Sequence, residues 1–383
     1  MRIALLIPGL DRIGGAERQL LLLAEALSRR GISIAVVALT GSGGDAAAHL
    51  RTLGIPFLSL HMRKGVADPR GWLRFLRWLR RWRPDLLHAH LPHATWLARW
   101  SRLAQPGCVV VDTLHTTSTG NRWRRLGYRA SNWLSGHVTA VSSAAAGAYL
   151  SAGLVHPGRL TVLPNGVDTA RIAPGAQARS ALRGKLGLGN NFLWVAAGRL
   201  EEVKNYPLLL EAMRQLPPSA HLLIAGDGPL RGGLEAMARQ LSIDMRVRFL
   251  GFVPEVLPYL QAADAAVLSS RWEGLPMALL EAGACALPAV ATDVPGSRAI
   301  LEHGRTGLLV PFADPAALAQ SMQALMDLPA SHRHAMGLRA RQRMETHFGL
   351  DAVLSRWEQL YAQCLPAKHS PARQMHWDFV SRF

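Results

Sequence analysis

Short apolar segments alternate with helix-like segments along almost the whole chain, and this alternation restricts the possible folds more than any other feature. A first series of candidate strands comprises residues 3–7, 32–39, 86–90, 109–113, 138–141 and 160–163. A second series comprises 192–197, 221–225, 247–250, 265–268, 289–292 and 307–310. Candidate helices lie between them, for example 16–29, 207–216 and 276–286. Such alternation predicts an α/β protein with mostly parallel, doubly wound sheets.

The two series predict two Rossmann-like domains in tandem, facing each other across a cleft. A length of 383 residues suits two or three domains. We expect one domain over 1–168 and another over 191–350, joined by a linker at 169–190 that is rich in Gly, Ala, Arg and Ser. A C-terminal helix at about 351–365 would pack back on the first domain, and 366–383 would form a tail.

The basic charge of the chain is concentrated in its first part. Residues 1–168 contain 21 Lys and Arg against 8 Asp and Glu, whereas the rest contains 22 against 18. Seven of the eleven tryptophans also lie in the first part. Such one-sided charge favours a polyanionic partner: an anionic membrane, an acidic substrate or nucleic acid. Nucleic acid is not expected, because the chain has no zinc finger, basic zipper or RNA-recognition signature.

Two segments of the first part combine arginine with tryptophan. In residues 70–83, apolar side chains at helical spacing form one stripe that arginines flank. This pattern is typical of an interfacial helix on anionic lipid, and equally of an ordinary helix packed on a sheet. A second cluster near residue 123 adds weight to the membrane interpretation. The predicted membrane or acceptor patch comprises Trp72, Arg74, Arg77, Trp78, Arg80, Arg81, Trp82, Arg122, Trp123, Arg124 and Arg125.

The sequence predicts neither export nor membrane insertion. No apolar run approaches the ~18 residues that span a bilayer. Residues 1–9 could mimic a signal peptide, but their apolar stretch is short and charged residues follow at once, so we interpret it as a buried strand. Three widely spaced cysteines, Cys108, Cys285 and Cys364, support neither a disulfide framework nor a four-thiolate zinc site. We therefore expect a cytoplasmic protein.

Ligands of doubly wound sheets bind at the carboxyl ends of the strands, so residues after each strand are candidates for the site. After the first strand, Gly14 and Gly15 open a helix whose N-terminus favours an anion. Later strands of the first series are associated with His88, His90, His93 and His115. Zinc is one interpretation, but no carboxylate or thiolate completes an obvious ligand set, and no metal is expected. A substrate-orienting or structural role is at least as well supported.

The second series places cations and carboxylates after its strands. Arg199 and Lys204 flank a loop, and two cations there suit a pyrophosphate. Residues 269–282 lead from a strand into a helix, with Glu273 and Glu281 eight residues apart. Pro276 suits the first helical turn, whose free N–H groups can hold phosphate. Glu281 could accept hydrogen bonds from a ribose, and Glu273 could contact a transferred group.

This segment resembles the E-x7-E signature of retaining nucleotide-sugar glycosyltransferases of the GT-B type, a large family that includes bacterial mannosyl- and glucosyltransferases. Other motifs agree in order, from residue 3 to about 365. They lie at 14–18, 85–90, 115, 165–168, 198–199, 204–205, 226–230 and 307–310. The resemblance implies the GT-B architecture, with an acceptor-binding first domain and a nucleotide-sugar-binding second domain.

The resemblance also implies a role for each matching residue. Arg199 and Lys204 would hold the donor diphosphate, Glu281 would bind the ribose, and Glu273 would contact the donor sugar. His115 would orient the sugar or the acceptor. The remaining donor-site positions are Gly14, Gly15, Leu275, Pro276, Met277 and Ala278. Family members often have Gly-Gly-x-x-Glu after the next strand; residues 295–299 lack that glutamate, so we assign this turn no role.

The predicted reaction is retaining transfer of a sugar from a nucleoside-diphosphate sugar, with UDP favoured, to a glycan or lipid-linked acceptor. The setting would be bacterial polysaccharide or lipopolysaccharide synthesis at the inner face of the cytoplasmic membrane. Cations would stabilise the leaving diphosphate without a metal or other cofactor. The alternatives are a nucleotide-sugar epimerase of the same fold, a glycosidase that uses the paired glutamates, and a non-enzymatic basic protein that binds lipid or nucleic acid.

Overall fold

Two parallel β-sheets form the framework of the protein in the computed structural model, which describes residues 1–63 and 68–365. The tail predicted at 366–383 lies outside the described residues. Helices connect successive strands, as parallel pairing requires. The structure confirms the predicted α/β class and the two doubly wound domains.

The first domain contains a seven-stranded sheet. Its strands are β1 (Arg2–Ile7), β2 (Ser33–Ala38), β3 (Phe57–Ser59), β4 (Leu86–His90), β5 (Val109–Leu114), β6 (His137–Ala140) and β7 (Leu160–Val162), in the order β3-β2-β1-β4-β5-β6-β7. Its helices are α1 (Gly15–Arg29), α2 (Gly44–Thr52), α3 (Pro69–Trp82), α4 (Pro92–Ser101), α5 (Arg122–Ser131) and α6 (Ser143–Ser151). Because helices cover both faces of the sheet, central strands such as β1 are continuous apolar runs.

The second domain contains a six-stranded sheet. Its strands are β8 (Phe192–Ala197), β9 (Ala220–Ala225), β10 (Val247–Gly251), β11 (Ala265–Leu268), β12 (Ala289–Thr292) and β13 (Gly307–Val310), in the order β10-β9-β8-β11-β12-β13. Its helices are α7 (Ala176–Leu186), α8 (Tyr206–Gln215), α9 (Arg231–Gln240), α10 (Leu257–Ala262), α11 (Met277–Ala284), α12 (Pro295–Ile300), α13 (Pro315–Asp327) and α14 (Ala330–Arg343). A short π-helical turn, Met344–Phe348, follows α14.

The segment expected to be a linker at 169–190 contains the helix α7. Arg179 and Arg183 of this helix both bind the carboxylate of Asp264, which lies just before β11. The prediction was therefore wrong for this stretch, which packs as part of the second domain. Leu182 and Leu186 of α7 pack against the core but are only partly buried, so the apolar stripe of this helix is short and gives a weak signal in the sequence.

The chain crosses back to the first domain in its last described helix, α15 (Leu350–Cys364). Val353, Trp357 and Tyr361 of this helix are buried in the core of the first domain. Backbone hydrogen bonds from Val167 to Phe348 and from Leu350 to Val167 join the two crossing segments. The chain thus passes between the two domains twice, in segments that are hydrogen-bonded to each other.

The described helices also bear on membrane insertion. Among those formed by residues 1–63 and 68–365, none combines the length and apolar character that a membrane span requires.

Candidate active site in the interdomain cleft

The cleft between the domains lies at the carboxyl ends of both parallel sheets, where doubly wound folds bind ligands. It holds a cavity of about 970 Å³. Every residue predicted for the catalytic and donor-binding set lines this cavity: Gly14, Gly15, His115, Arg199, Lys204, Glu273, Leu275, Pro276, Met277, Ala278 and Glu281. The fold therefore gathers these positions, from both domains, around one space.

Two cations enter the cavity from the loop after β8. The Arg199 side chain is 52% exposed, and its guanidinium lies 3.2 Å from the carboxylate of Glu201. Lys204 ends a short 3₁₀ turn, and its Nζ lies 2.6 Å from Glu273 Oε1. Because Arg199 faces open space, its guanidinium is available to an anionic ligand in the cavity.

The start of α11 lines the same cavity, next to Lys204. Glu273 precedes the helix and accepts a hydrogen bond of 2.7 Å from Ser270 Oγ. The helix begins at Met277 with Pro276 as its N-cap, so Pro276 stands one position before the first turn in which we had placed it. First-turn N–H groups have no partner within the helix, and the helix dipole favours an anion there. Glu281 lies one turn further in and is 4% exposed.

The two domains touch directly at the site. Arg18 Nη1 of α1 lies 2.7 Å from Glu281 Oε1 of α11. Gly274, in the turn before α11, packs so closely against the His115 carbonyl that a β-carbon would collide with it. Only glycine therefore allows this approach without displacing one of the two backbones.

Three of the four histidines form a cluster at the cleft, in which His115 lines the cavity and His88 and His90 are buried. His90 Nδ1 lies 2.9 Å from His115 Nε2, and the rings of His88 and His90 are 4.1 Å apart. His88 also hydrogen-bonds the hydroxyls of Thr113 and Tyr361, at 2.6 and 2.8 Å. Burial lowers the pKa of His88 to about 3 and that of His115 to about 4, so both imidazoles are neutral at pH 7. A neutral His115 can orient a hydroxyl by hydrogen bonding.

The fourth histidine, His93, lies on α4 and packs edge-on against Trp96. Within the described part of the chain, no group of three or more His, Cys, Asp and Glu side chains is arranged to hold a metal ion. The zinc interpretation of these histidines therefore has no geometry to support it.

The two predicted Trp/Arg segments lie outside the cavity and differ from each other. On α3, Trp72, Trp78 and Trp82 are partly buried against the core of the first domain. The exposed side chains of this helix include Arg74, Arg77, Arg80 and Arg81. This is the arrangement of an ordinary helix packed on a sheet, so the structure favours that alternative for α3.

On α5 the tryptophan faces solvent instead. Trp123 is 63% exposed, beside the exposed Arg122 and Arg125 and the half-buried Arg124. Further exposed apolar side chains lie on α5, at the end of α4 and in the turn after α5: Leu126, Trp100, Leu103 and Trp133. We call these residues together with Trp123 the aromatic surface; sequence reasoning did not find Trp100, Leu103 or Leu126, since each is an isolated apolar residue in the sequence.

Sequence reasoning assigned no role to several side chains that line the cavity, two of which, Arg18 and Asn165, lie within the family motifs at 14–18 and 165–168. They include Asp11, Arg18, Asn165, Phe252 and Trp272. A signal was available for Arg18, which stands three residues after Gly15 and so on the first turn of α1. The aromatic residues Phe252 and Trp272 are exposed, at 55% and 46%, and nothing in their local sequence distinguishes them from other loop residues.

Two parallel-sheet domains with a cation-lined cleft at their strand ends form the GT-B architecture. More specifically, the chain belongs to the glycosyltransferase family recognised by two adjacent models. Residues 13–171 match Glycosyltransferase Family 4, and residues 179–343 match Glycosyl transferases group 1.

Several relatives are similar over most of their length. The putative glycosyltransferase EpsD of Bacillus subtilis is 31% identical over 71% of this chain and 76% of its own. The glycogen synthase of Mycobacterium tuberculosis is 30% identical over 94% of this chain and 93% of its own. The lipopolysaccharide core biosynthesis glycosyltransferase LpsE of Rhizobium meliloti is 26% identical over 91% of this chain and 96% of its own. Among solved structures, Anabaena HepE in complex with UDP and glucose has a TM-score of 0.84 at 21% identity, covering 95% of this chain and all of its own; this likeness concerns the fold.

Proposed function

We propose that this glycosyltransferase moves a hexose from a nucleoside-diphosphate sugar, with UDP as the favoured nucleotide, to a lipid-linked or glycan acceptor with retention of anomeric configuration. The observation that carries the proposal is the convergence of Arg199, Lys204 and the N-terminus of α11 on one cavity, with Glu281 behind them. Two cations and a helix N-terminus suit a diphosphate, which needs both charge and directed N–H groups.

In the proposed complex each part of the donor has a matching group. The diphosphate lies against Arg199 and Lys204 and the amides of the turn that starts α11. The ribose hydroxyls donate to the Glu281 carboxylate. The sugar lies between Glu273 and His115, which come from different domains, so that domain closure completes the sugar site and excludes water.

The reaction then needs mainly electrostatic help. The bond between the sugar C1 and the diphosphate oxygen breaks, and an acceptor hydroxyl bonds C1 on the same face. The leaving diphosphate takes the hydroxyl proton, so no separate base is required. Negative charge grows on the diphosphate in the transition state, where Arg199 and Lys204 stabilise it. These side chains supply the positive charge, so we expect activity without an added divalent metal.

The glycosidase alternative fits the site less well. A glycosidase needs one carboxyl group that donates a proton across the scissile bond. Glu273 lies 2.6 Å from Lys204 Nζ and Glu281 lies 2.7 Å from Arg18 Nη1, so each carboxyl group is already engaged by a cation of the protein. The epimerase alternative shares the donor site and differs in its products.

The acceptor and the location are proposed from the first domain and from two relatives. LpsE is named for lipopolysaccharide core synthesis, and EpsD is a putative glycosyltransferase. The aromatic surface is flanked by arginines, and this combination suits an anionic membrane. We therefore place the enzyme in the cytoplasm, peripherally bound to the inner face of the cytoplasmic membrane.

A thermal-shift panel tests the donor site. Wild type and Glu281→Ala are melted with UDP, GDP, ADP, NAD or buffer, in EDTA. A ligand at 100 times its Kd stabilises the folded state by about 2.7 kcal/mol. We expect one nucleoside diphosphate to raise the Tm of wild type and to act more weakly on Glu281→Ala. Glu235→Ala, which removes a carboxylate paired with Arg231 on α9, is the matched control and should respond like wild type.

Other outcomes would overturn parts of the proposal. No shift with any nucleotide would leave the donor site unsupported and would favour the basic binding protein. A shift that appears only with added Mg²⁺ would contradict metal independence. With the identified donor, NMR of the product tests retention, and a released epimer would favour the epimerase.

A further inference from the structure

Arg18 of the first domain reaches across the cleft to Glu281 of the second. Its Nη1 lies 2.7 Å from Glu281 Oε1, and the two residues are 263 positions apart in the chain. The Glu281 side chain is 5% exposed and the Arg18 side chain 34%. The contact is thus shielded at the carboxylate and open at the guanidinium, which lines the cavity.

Each partner of this ion pair lies near the N-terminus of its own helix. Arg18 lies in the first turn of α1, and Glu281 lies one turn after the start of α11. Gly15, at the start of α1, packs beside Met277, at the start of α11. The two helix N-termini therefore meet across the cleft, and the ion pair sits one turn behind their meeting point.

A buried carboxylate next to a diphosphate site is unfavourable on its own. It loses hydration, and its charge repels the phosphates. A cation at hydrogen-bonding distance offsets both effects and fixes the carboxylate rotamer, since guanidinium groups bind carboxylates directionally. In the observed geometry Arg18 contacts Oε1, which leaves Oε2 and the remaining lone pair of Oε1 for other donors.

We infer that Arg18 is a positioning residue that holds Glu281 ready for the ribose hydroxyls of the donor and thereby links donor affinity to domain closure. The inference rests on the proposed function, in which Glu281 binds the ribose. Arg18 belongs to the first domain, so the ribose site is complete only when that domain is closed over α11. Nucleotide binding and domain closure then favour each other.

A binding cycle separates this role from direct contact with phosphate. Calorimetry measures the Kd of UDP and of 2′,3′-dideoxy-UDP for wild type, Arg18→Gln, Glu281→Gln and the double variant. We expect Arg18→Gln to weaken UDP binding about tenfold, the scale of one charged hydrogen bond. The same substitution should change the Kd of the dideoxy nucleotide less than about twofold. In the Glu281→Gln background, it should raise the Kd of UDP by less than about a further twofold.

Two further variants serve as controls. Arg18→Lys keeps the charge but not the guanidinium fork, and we expect an intermediate loss. Arg29→Gln removes an arginine of the same helix that pairs with Glu25 away from the cavity, and it should bind both nucleotides like wild type. If Arg18→Gln fails to fold, as judged by circular dichroism, Arg18→Lys carries the test.

The remaining outcomes overturn the inference in distinguishable ways. An equal loss for UDP and the dideoxy nucleotide would mean that Arg18 contacts the phosphates. Normal UDP binding by Arg18→Gln would mean that the pair only joins the domains. If wild type binds neither UDP nor GDP, the proposed function itself fails, whatever Arg18 does.

Discussion

The two domains share one topology but bury their polar groups in different places. In the first domain, a complete ion pair lies inside the core: Arg99 and Asp112 are both 0% exposed and 2.7 Å apart. In the second domain, Ser269, Ser270 and Glu281 are buried at the end of the sheet that lines the cleft. The first domain therefore holds a buried ion pair within its core, whereas the second buries a carboxylate beside the cleft.

This difference predicts that charge removal has opposite consequences in the two domains. Buried ion pairs contribute little net stability, yet loss of one partner is costly because the other charge stays buried. Charges at a ligand site contribute to binding and rate instead. Each experiment below compares a change in one domain with a matched change elsewhere.

The largest effect is expected for Asp112→Ala. Asp112 also accepts a hydrogen bond of 2.8 Å from Ser135 Oγ, and its loss leaves Arg99 unpaired in the core. We expect the free energy of unfolding to fall by about 3–5 kcal/mol, measured by urea denaturation. Asp264→Ala, which removes a partly exposed carboxylate bound by two arginines of α7, should cost about 1–2 kcal/mol. Equal losses would show that burial of the pair does not set the cost.

The second prediction concerns a cleft residue of the second domain, whose loss should slow the reaction and leave stability nearly unchanged. Arg199→Ala removes a half-exposed guanidinium from the cleft, so we expect the stability to change by less than about 0.5 kcal/mol. The transfer rate should fall about 10²-fold, as for loss of one group that stabilises transition-state charge. Arg305→Ala in the second domain is the control, because this exposed arginine pairs with Glu302 and neither residue lines the cavity. A normal rate for Arg199→Ala would remove it from the donor site.

Acid should weaken the first domain more than the second. Burial lowers the pKa of His88 to about 3, of His115 to about 4 and of His90 well below its usual value. These groups are neutral when folded, so below pH 6.5 the unfolded chain binds protons that the folded domain cannot. Stability is then lost as the pH falls towards the folded pKa values, by about 1.4 kcal/mol per pH unit for each histidine.

Hydrogen exchange at pH 7 and pH 5 can follow this loss in each domain separately. Protection of β4 and β5 should fall more than that of β8 and β11, after correction for intrinsic exchange rates. Partial burial also lowers the pKa of His221 in the second domain, and the nearby charges of three arginines, Arg248, Arg246 and Arg183, lower it further. Burial raises the pKa of Asp112 in the first domain. The folded state therefore takes up this proton more readily than the unfolded chain, which offsets part of the loss of stability at low pH. Equal loss of protection in both domains would contradict the prediction.

The sequence was sufficient for features that depend on local pattern. Four strands of the second domain, β8, β11, β12 and β13, have the predicted bounds because each is a continuous apolar run between turn residues. In the first domain, β4 also has the predicted bounds, and the other predicted strands differ by one residue at one or both ends. The edge strand β3 was missed, since three partly exposed residues carry no periodic signal.

Features that depend on the partner of a side chain were beyond local pattern. The stripe on α3 is equally apolar whether it faces lipid or core, and only the packed structure places Trp78 against the core. Arg18 meets Glu281 because two domains close on each other, which no sequence spacing reveals. The cleft residues themselves were predicted from strand ends and family motifs, and their chemical roles stay predictions.

The smallest expected effect is on vesicle binding, and it is tested by comparing two exposed arginine pairs of the first domain. Arg122→Glu/Arg125→Glu reverses charge beside the exposed Trp123, whereas Arg77→Glu/Arg80→Glu reverses it on α3, whose tryptophans are partly buried. Each basic side chain near an anionic surface contributes about 1 kcal/mol, and aromatic insertion adds to this only on α5. We expect the first double variant to lose sedimentation with phosphatidylglycerol vesicles at physiological salt and the second to lose clearly less.

Trp123→Ser should weaken vesicle binding without changing the Tm, since the Trp123 ring is exposed. Equal losses for both arginine pairs, with no effect of Trp123→Ser, would mean that net charge alone directs the protein to lipid. If wild type ignores these vesicles, the membrane proposal fails and the aromatic surface needs another partner.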